Sequence, residues 1–160
     1  MKWAITIIML MPMWIYLFVS NHEEALQTKL KAELKDGLKL ATHDAALQID
    51  PMMLEQGKVV FLEDAVDQAF RSSIERTFKL DLQLQPLQHS IWKNTFEIVL
   101  LDRVDEGSFP QNYYSGAPYY YSDVLTGPSI ITIVKVKHPK YYGISRDFDY
   151  VIGSSHEYVR

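Results

Sequence analysis

The chain contains no cysteine. That excludes disulfides, thiol nucleophiles and cysteine metal sites, so the fold has to hold by packing and hydrogen bonding alone. Glycine and proline are sparse, seven of each in 160 residues. Neither a phosphate-binding glycine loop nor a dinucleotide fingerprint occurs. No block of one charge sign occurs either: the formal charge is −4, spread along the chain. Without a basic stripe, nucleic acid is not an expected partner. The histidines, His22, His43, His89, His138 and His156, are scattered with no His-x-x-x-His pair, so their spacing suggests no metal site and no cofactor. No serine stands in a nucleophile elbow. Neither Asn94-Thr95-Phe96 nor Asn112-Tyr113-Tyr114 is an N-glycosylation acceptor. These absences leave no catalytic residue to name, and the expectation is a protein that is not an enzyme.

What is present begins at the N-terminus. Trp3 to Val19 reads WAITIIMLMPMWIYLFV, without a charge. A spanning helix needs roughly 17–25 apolar residues, and this run sits at the short end. Trp3 at one end, with Trp14 and Tyr16 toward the other, suits anchoring at the two lipid–water boundaries. Pro12 in mid-run is read as a kink, which membrane helices tolerate. A cleaved secretory signal is the competing reading. It fits less well, because cleavage after Ser20 would put Phe18 where a small residue is wanted. Lys2 precedes the run, and Glu23 and Glu24 follow it. The positive side tends to stay cytoplasmic, so the chain is expected in the cell membrane as a single-pass protein, N-terminus inside and bulk extracytoplasmic.

The expected fold class is α+β. Residues 1–20 form a transmembrane anchor, and residues 21–160 form an extracytoplasmic domain with a helical stalk over 21–49 and a head over 50–160. In the stalk, Leu26, Leu30, Leu34, Leu38, Ala41 and Ala45 recur in steps of four and three, one helical stripe. Thr42-His43-Asp44 lies in this helix and reads as a polar face rather than a catalytic set, which would need a third group and a pocket. Asp50-Pro51 ends the stalk and can cap a short helix, with the pair Met52 and Met53 read as core filling. Leu62 to Phe78 is a second helix, with Leu62, Val66, Ala69, Phe70, Ile74 and Phe78 recurring at helical spacing on its apolar face, packed on a sheet.

The period then changes to two. Lys79 to Gln85 alternates strictly and reads as a strand broken by Pro86. Phe96, Ile98 and Leu100 should share one face of a second strand. Ser129 to Lys137 is the clearest strand, with Ile130, Val134 and Val136 inward. Asp147 to Ile152 is the last, with Phe148, Tyr150 and Ile152 inward. Loops rather than helices join them, so an antiparallel sheet of about four strands is expected.

Between Val104 and Ser129 runs DEGSFPQNYYSGAPYYYSDVLTGP. A loop of this length is often functional. Tyr113, Tyr114, Tyr119, Tyr120 and Tyr121 cluster in it beside serine, asparagine and glycine, the mix that recognition loops use. They are the candidate partner-binding residues. The competing reading packs them onto the sheet.

Anchor, long amphipathic helix, second helix and antiparallel sheet together resemble the pilin-like, single-span proteins of tight-adherence pili and related secretion machines. The resemblance is carried by Trp3–Val19, by the helical text Leu38-Lys39-Leu40-Ala41-Thr42-His43-Asp44-Ala45-Ala46-Leu47 and by the sheet-rich end. The glycine-plus-glutamate prepilin cleavage signature is not found at the apolar run, which departs from true pilins. The resemblance implies an uncleaved structural or accessory component of a pilus-like or secretion assembly. Its partners would be membrane lipid and other membrane or pilin-like subunits, a homo-oligomer being compatible with this. The rival function is a tethered binding module that acts alone, its tyrosine loop, 105–128, gripping a peptide, glycan or cell-wall polymer.

Overall fold

The computed structural model describes residues 2–141 and 147–158, with side chains from residue 8 onward. The side chain of Trp3 lies outside that set. The chain is α+β. Helix α1 spans Lys2–Ala46, α2 Pro51–Glu55 and α3 Glu63–Phe78; strands β1 to β5 span Phe96–Val104, Gln111–Tyr114, Ser122–Leu125, Ser129–Lys137 and Asp149–Glu157.

The apolar run and the stalk form one helix of 45 residues, continuous through Pro12 and Gly37. Its two ends live in different surroundings. Ile8 to Phe18 leave every large hydrophobic side chain 47–76% exposed, Trp14 and Tyr16 among them. From Leu30 the stripe Leu30, Leu34, Leu38, Ala41, Ala45 is fully buried. No helix among the described residues is long and apolar enough to cross a membrane. Gly37 has a packing reason: a Cβ there would overlap the Phe78 ring and the Thr77 methyl, so α3 can end against α1 only where the side chain is missing.

Asp50 caps α2 as its sequence suggests, its Oδ1 accepting from the N–H groups of Met52 (2.8 Å) and Met53 (3.4 Å) with Pro51 in the first turn. Yet α2 fully buries nothing, and Met52 is 72% exposed, so the Met pair does not fill the core. Helix α3 buries Val66, Phe70, Ile74 and Phe78. It lies beside α1 and reaches β1 through the Phe78 and Phe96 rings, 5.0 Å apart, and through Arg103, whose guanidinium meets Glu63 at 2.6 Å and Asp67 at 3.7 Å.

The sheet has three antiparallel strands in the order β1-β4-β5, and β2 and β3 form a separate two-stranded ribbon. About four strands in one sheet were expected, and the difference has local causes. Lys79–Gln85 is no strand: Asp81 Oδ1 accepts from the N–H groups of Gln83 (2.8 Å) and Gln85 (2.9 Å), Leu84 takes a positive φ of 59°, and only Leu80 bridges to Pro86. The side-chain oxygen satisfies the turn that alternation disguised. In β1 the register slips between Ile98 and Leu100. The bulge sends Leu101, not Leu100, to the core beside Phe96 and Ile98. Strand β4 occupies Ser129–Lys137 as the alternation predicts. Strand β5 begins at Asp149 rather than Asp147 and continues to Glu157; it turns Tyr150 and Ile152 to the core, with Phe148 joining them from just before it.

The inner face of this sheet receives α1; α3, expected on the sheet, packs mainly against α1 and meets β1 at the Phe78 and Phe96 rings and at Arg103. Two buried polar links tie α1 to the sheet. The Thr42 and Thr132 hydroxyls lie 2.8 Å apart. Nearer the exposed end of α1, His138 Nε2 lies 2.9 Å from Glu23 Oε1 and its Nδ1 3.0 Å from the Tyr150 hydroxyl. Burial, then the charge of Glu23, pushes the Tyr150 hydroxyl up to about 12. The outer face is covered in part by the ribbon, which is why Ile131 and Ile133 are buried as well.

Candidate functional site

The long tyrosine segment is inserted between β1 and β4, neighbours in the sheet, and folds back as the β2–β3 ribbon rather than as an open loop. Its tip, residues 115–121, is pinned by Ser115: the Ser115 hydroxyl donates to the Tyr119 carbonyl at 2.8 Å and accepts from the Tyr121 N–H at 2.7 Å. Ribbon pairing alternates side chains between two faces, so the five tyrosines divide. Tyr113, Tyr119 and Tyr121 are half-buried toward the sheet, while Tyr114 and Tyr120 are 72% and 82% exposed.

Each inward tyrosine has a distinct partner. The Tyr113 hydroxyl donates to Asp102 Oδ2 at 2.6 Å. Burial, and then that carboxylate, raise its pKa. Tyr119 lies beneath the Lys135 ammonium, 5.8 Å from ring centre to Nζ. The Tyr119 hydroxyl and then Glu97 hold this ammonium above its ordinary range. Tyr121 lies flat over Gly153, where a Cβ would overlap its ring, and its hydroxyl donates toward Asp123 and Ser155, both at 3.1 Å. Ser155 also donates to Asp123 and thereby holds that carboxyl below its usual range.

Between the ribbon tip and the outer sheet face lies an open cleft of about 370 Å³. Val99, Leu100 and Ile133 form its floor, Tyr113 and Tyr119 with Pro118 form its walls, and the outward-facing Tyr114 only borders its rim. Asp102 is the charged group lining it among the described residues. Its size is at the small end of small-molecule sites, and it is open, with about as much polar as apolar surface. The bulge in β1 places Val99 and Leu100 in this floor. Sequence reading named the tyrosines and missed Asp102, whose place beside Tyr113 depends on how the ribbon folds back.

The remaining candidates disperse. Thr42, His43 and Asp44 go to three partners: Thr42 to Thr132, Asp44 to Ser73 (2.7 Å) and Arg76 (3.4 Å), and His43 to His156, with Nδ1 and Nε2 2.7 Å apart. They form no catalytic set. Among the described residues, no group of three or more His, Asp or Glu side chains is placed to hold a metal ion. Of the anchor residues, Pro12, Trp14 and Tyr16 all lie on the exposed part of α1. No protein-family model, curated protein or solved structure matches this chain.

Proposed function

We propose that this chain is a membrane-tethered, non-enzymatic scaffold component of a pilus-like or secretion assembly, working through helix packing and protein contacts. One observation carries the reading. The exposed apolar surface from Ile8 to Phe18 belongs to the same unbroken helix that becomes core at Leu30. A contiguous apolar surface of this extent on a folded chain marks a place where lipid or another protein belongs. As a helix, Trp3 to Val19 is about 25 Å long, a few ångströms short of the hydrocarbon layer. Local thinning of the bilayer accommodates such a mismatch at a fraction of a kcal/mol per Å. Lys2 then stays on the cytoplasmic side and the α+β head on the other.

The test uses the full chain in cells. It should resist alkaline extraction from the membrane fraction, carry residues 1–20 in its measured mass, and bring other membrane subunits with it in mild detergent. The missing cysteine helps, because Ser108→Cys on the exposed ribbon arm gives a single thiol. An impermeant maleimide added to intact cells should label it. A mature chain found free in solution and starting near Asn21 would overturn the reading.

The cleft beside the ribbon favours a second reading, a tethered module that binds a ligand by itself. Such a module is monomeric in detergent and binds without other subunits.

A further inference from the structure

We propose that the cleft between β1 and the β2–β3 tip binds a small organic cation, an alkylammonium group, with Asp102 as its counter-charge and tyrosine rings as its walls. The inference deepens the second reading above and does not depend on the anchor.

Charge comes first. Asp102 lines the cleft, and none of the side chains that line it is a lysine, arginine or histidine. Its oxygens accept from the Arg103 N–H (2.9 Å) and the Tyr113 hydroxyl (2.6 Å), both neutral donors. The neighbouring guanidinium of Arg103 is turned to Glu63 and Asp67 on α3. An ionised carboxylate offers about four lone-pair positions, so acceptor capacity remains on a charge that no cation balances within the cleft.

Ring chemistry comes second. Tyrosine faces attract ammonium groups electrostatically, more strongly where water is partly excluded. At the edge of the cleft the protein already makes such a contact, the Lys135 ammonium lying 5.8 Å from the centre of the Tyr119 ring, which leaves the Tyr113 ring beside Asp102 as the free aromatic wall. Glu97 (3.4 Å) and Asp149 (3.7 Å) pair with that lysine and balance its charge, and it is not among the cleft's lining residues. An anionic ligand would meet Asp102 with nothing to offset it. A neutral ligand of the same shape would gain the apolar floor of Val99, Leu100 and Ile133 but neither the carboxylate nor the ring electrostatics.

The experiment compares choline with 3,3-dimethylbutan-1-ol, which has the same shape and no charge. The full chain is held in maltoside micelles, because phosphocholine detergents would compete. Binding is followed by calorimetry and by tyrosine-ring NMR. Choline should bind saturably and at least roughly tenfold more tightly than the neutral isostere. Asp102→Asn, which keeps the shape and removes the charge, should abolish that preference. Tyr119→Leu, which keeps a bulky wall and removes the ring, should weaken choline binding while leaving the melting temperature within a few degrees. Equal affinity for the two compounds, or no saturable choline binding, overturns the proposal. Binding of neutral saccharides in place of choline also overturns it, and leaves the ligand-binding module standing.

Discussion

The Thr42 hydroxyl donates to the Leu38 carbonyl at 2.8 Å, which leaves Thr132, 2.8 Å away across the helix–sheet interface, to donate to Thr42. Both residues are fully buried. Val at either position removes this bond while the remaining hydroxyl keeps a carbonyl, Leu38 for Thr42 (2.8 Å) and Ser154 for Thr132 (3.4 Å), and should cost roughly 0.5–1.5 kcal/mol. The double Val variant should cost less than the sum, because the shared hydrogen bond is lost only once. Urea unfolding of the four proteins in micelles measures this, and strict additivity would refute the coupling.

Glu23 and His138 form the second tie between α1 and the head. Glu23→Gln keeps an acceptor for the His138 ring and should change stability by less than about 1 kcal/mol. Glu23→Ala leaves a ring that is 1% exposed without that partner and should cost roughly 1–3 kcal/mol. Thermal unfolding of the two variants separates them.

The pair His43–His156 makes stability depend on pH. Burial first, then the His43 ring and Lys39, lower the His156 pKa, and Glu157 opposes them. A histidine with a depressed folded pKa binds its proton more readily when unfolded. The stabilisation it leaves intact above the ordinary value near 6.5 is lost as pH falls through that value toward the folded one. The melting temperature should therefore drop between pH 7.5 and pH 5. His156→Gln should flatten that slope.

Gly153→Ala should lift Tyr121 off the sheet. Overpacking of this kind typically costs 1–3 kcal/mol. Because Tyr121 also meets Asp123 and Ser155, the damage should concentrate in the ribbon. Limited proteolysis should cut the variant within residues 105–128 while α1 and β4 stay protected, and cleavage spread over the chain would contradict this.

The sequence made the helices and β4 readable, because periods of 3.6 and 2 report burial directly. Alternation failed at Lys79–Gln85, where Asp81 satisfies the backbone by itself and Leu82 is left 85% exposed. It failed again in β1, where one bulged residue exchanges the faces of Leu100 and Leu101. Strand β5 was cut short at Ile152 because Gly153-Ser154-Ser155 carries no apolar signal, so the meeting of His43 with His156 was out of reach. For the candidate site, the tyrosines were visible by composition. The cleft was not, since it needs the ribbon to fold back and bring Asp102 to Tyr113.

Helix α1 runs from Lys2 to Ala46 and is tied to the head at Glu23, near its middle, and at Thr42, in its last turns. Between those two contacts the helix and the sheet have to move together, so any displacement of the exposed turns that passes beyond Pro12 reaches the head at Glu23 first.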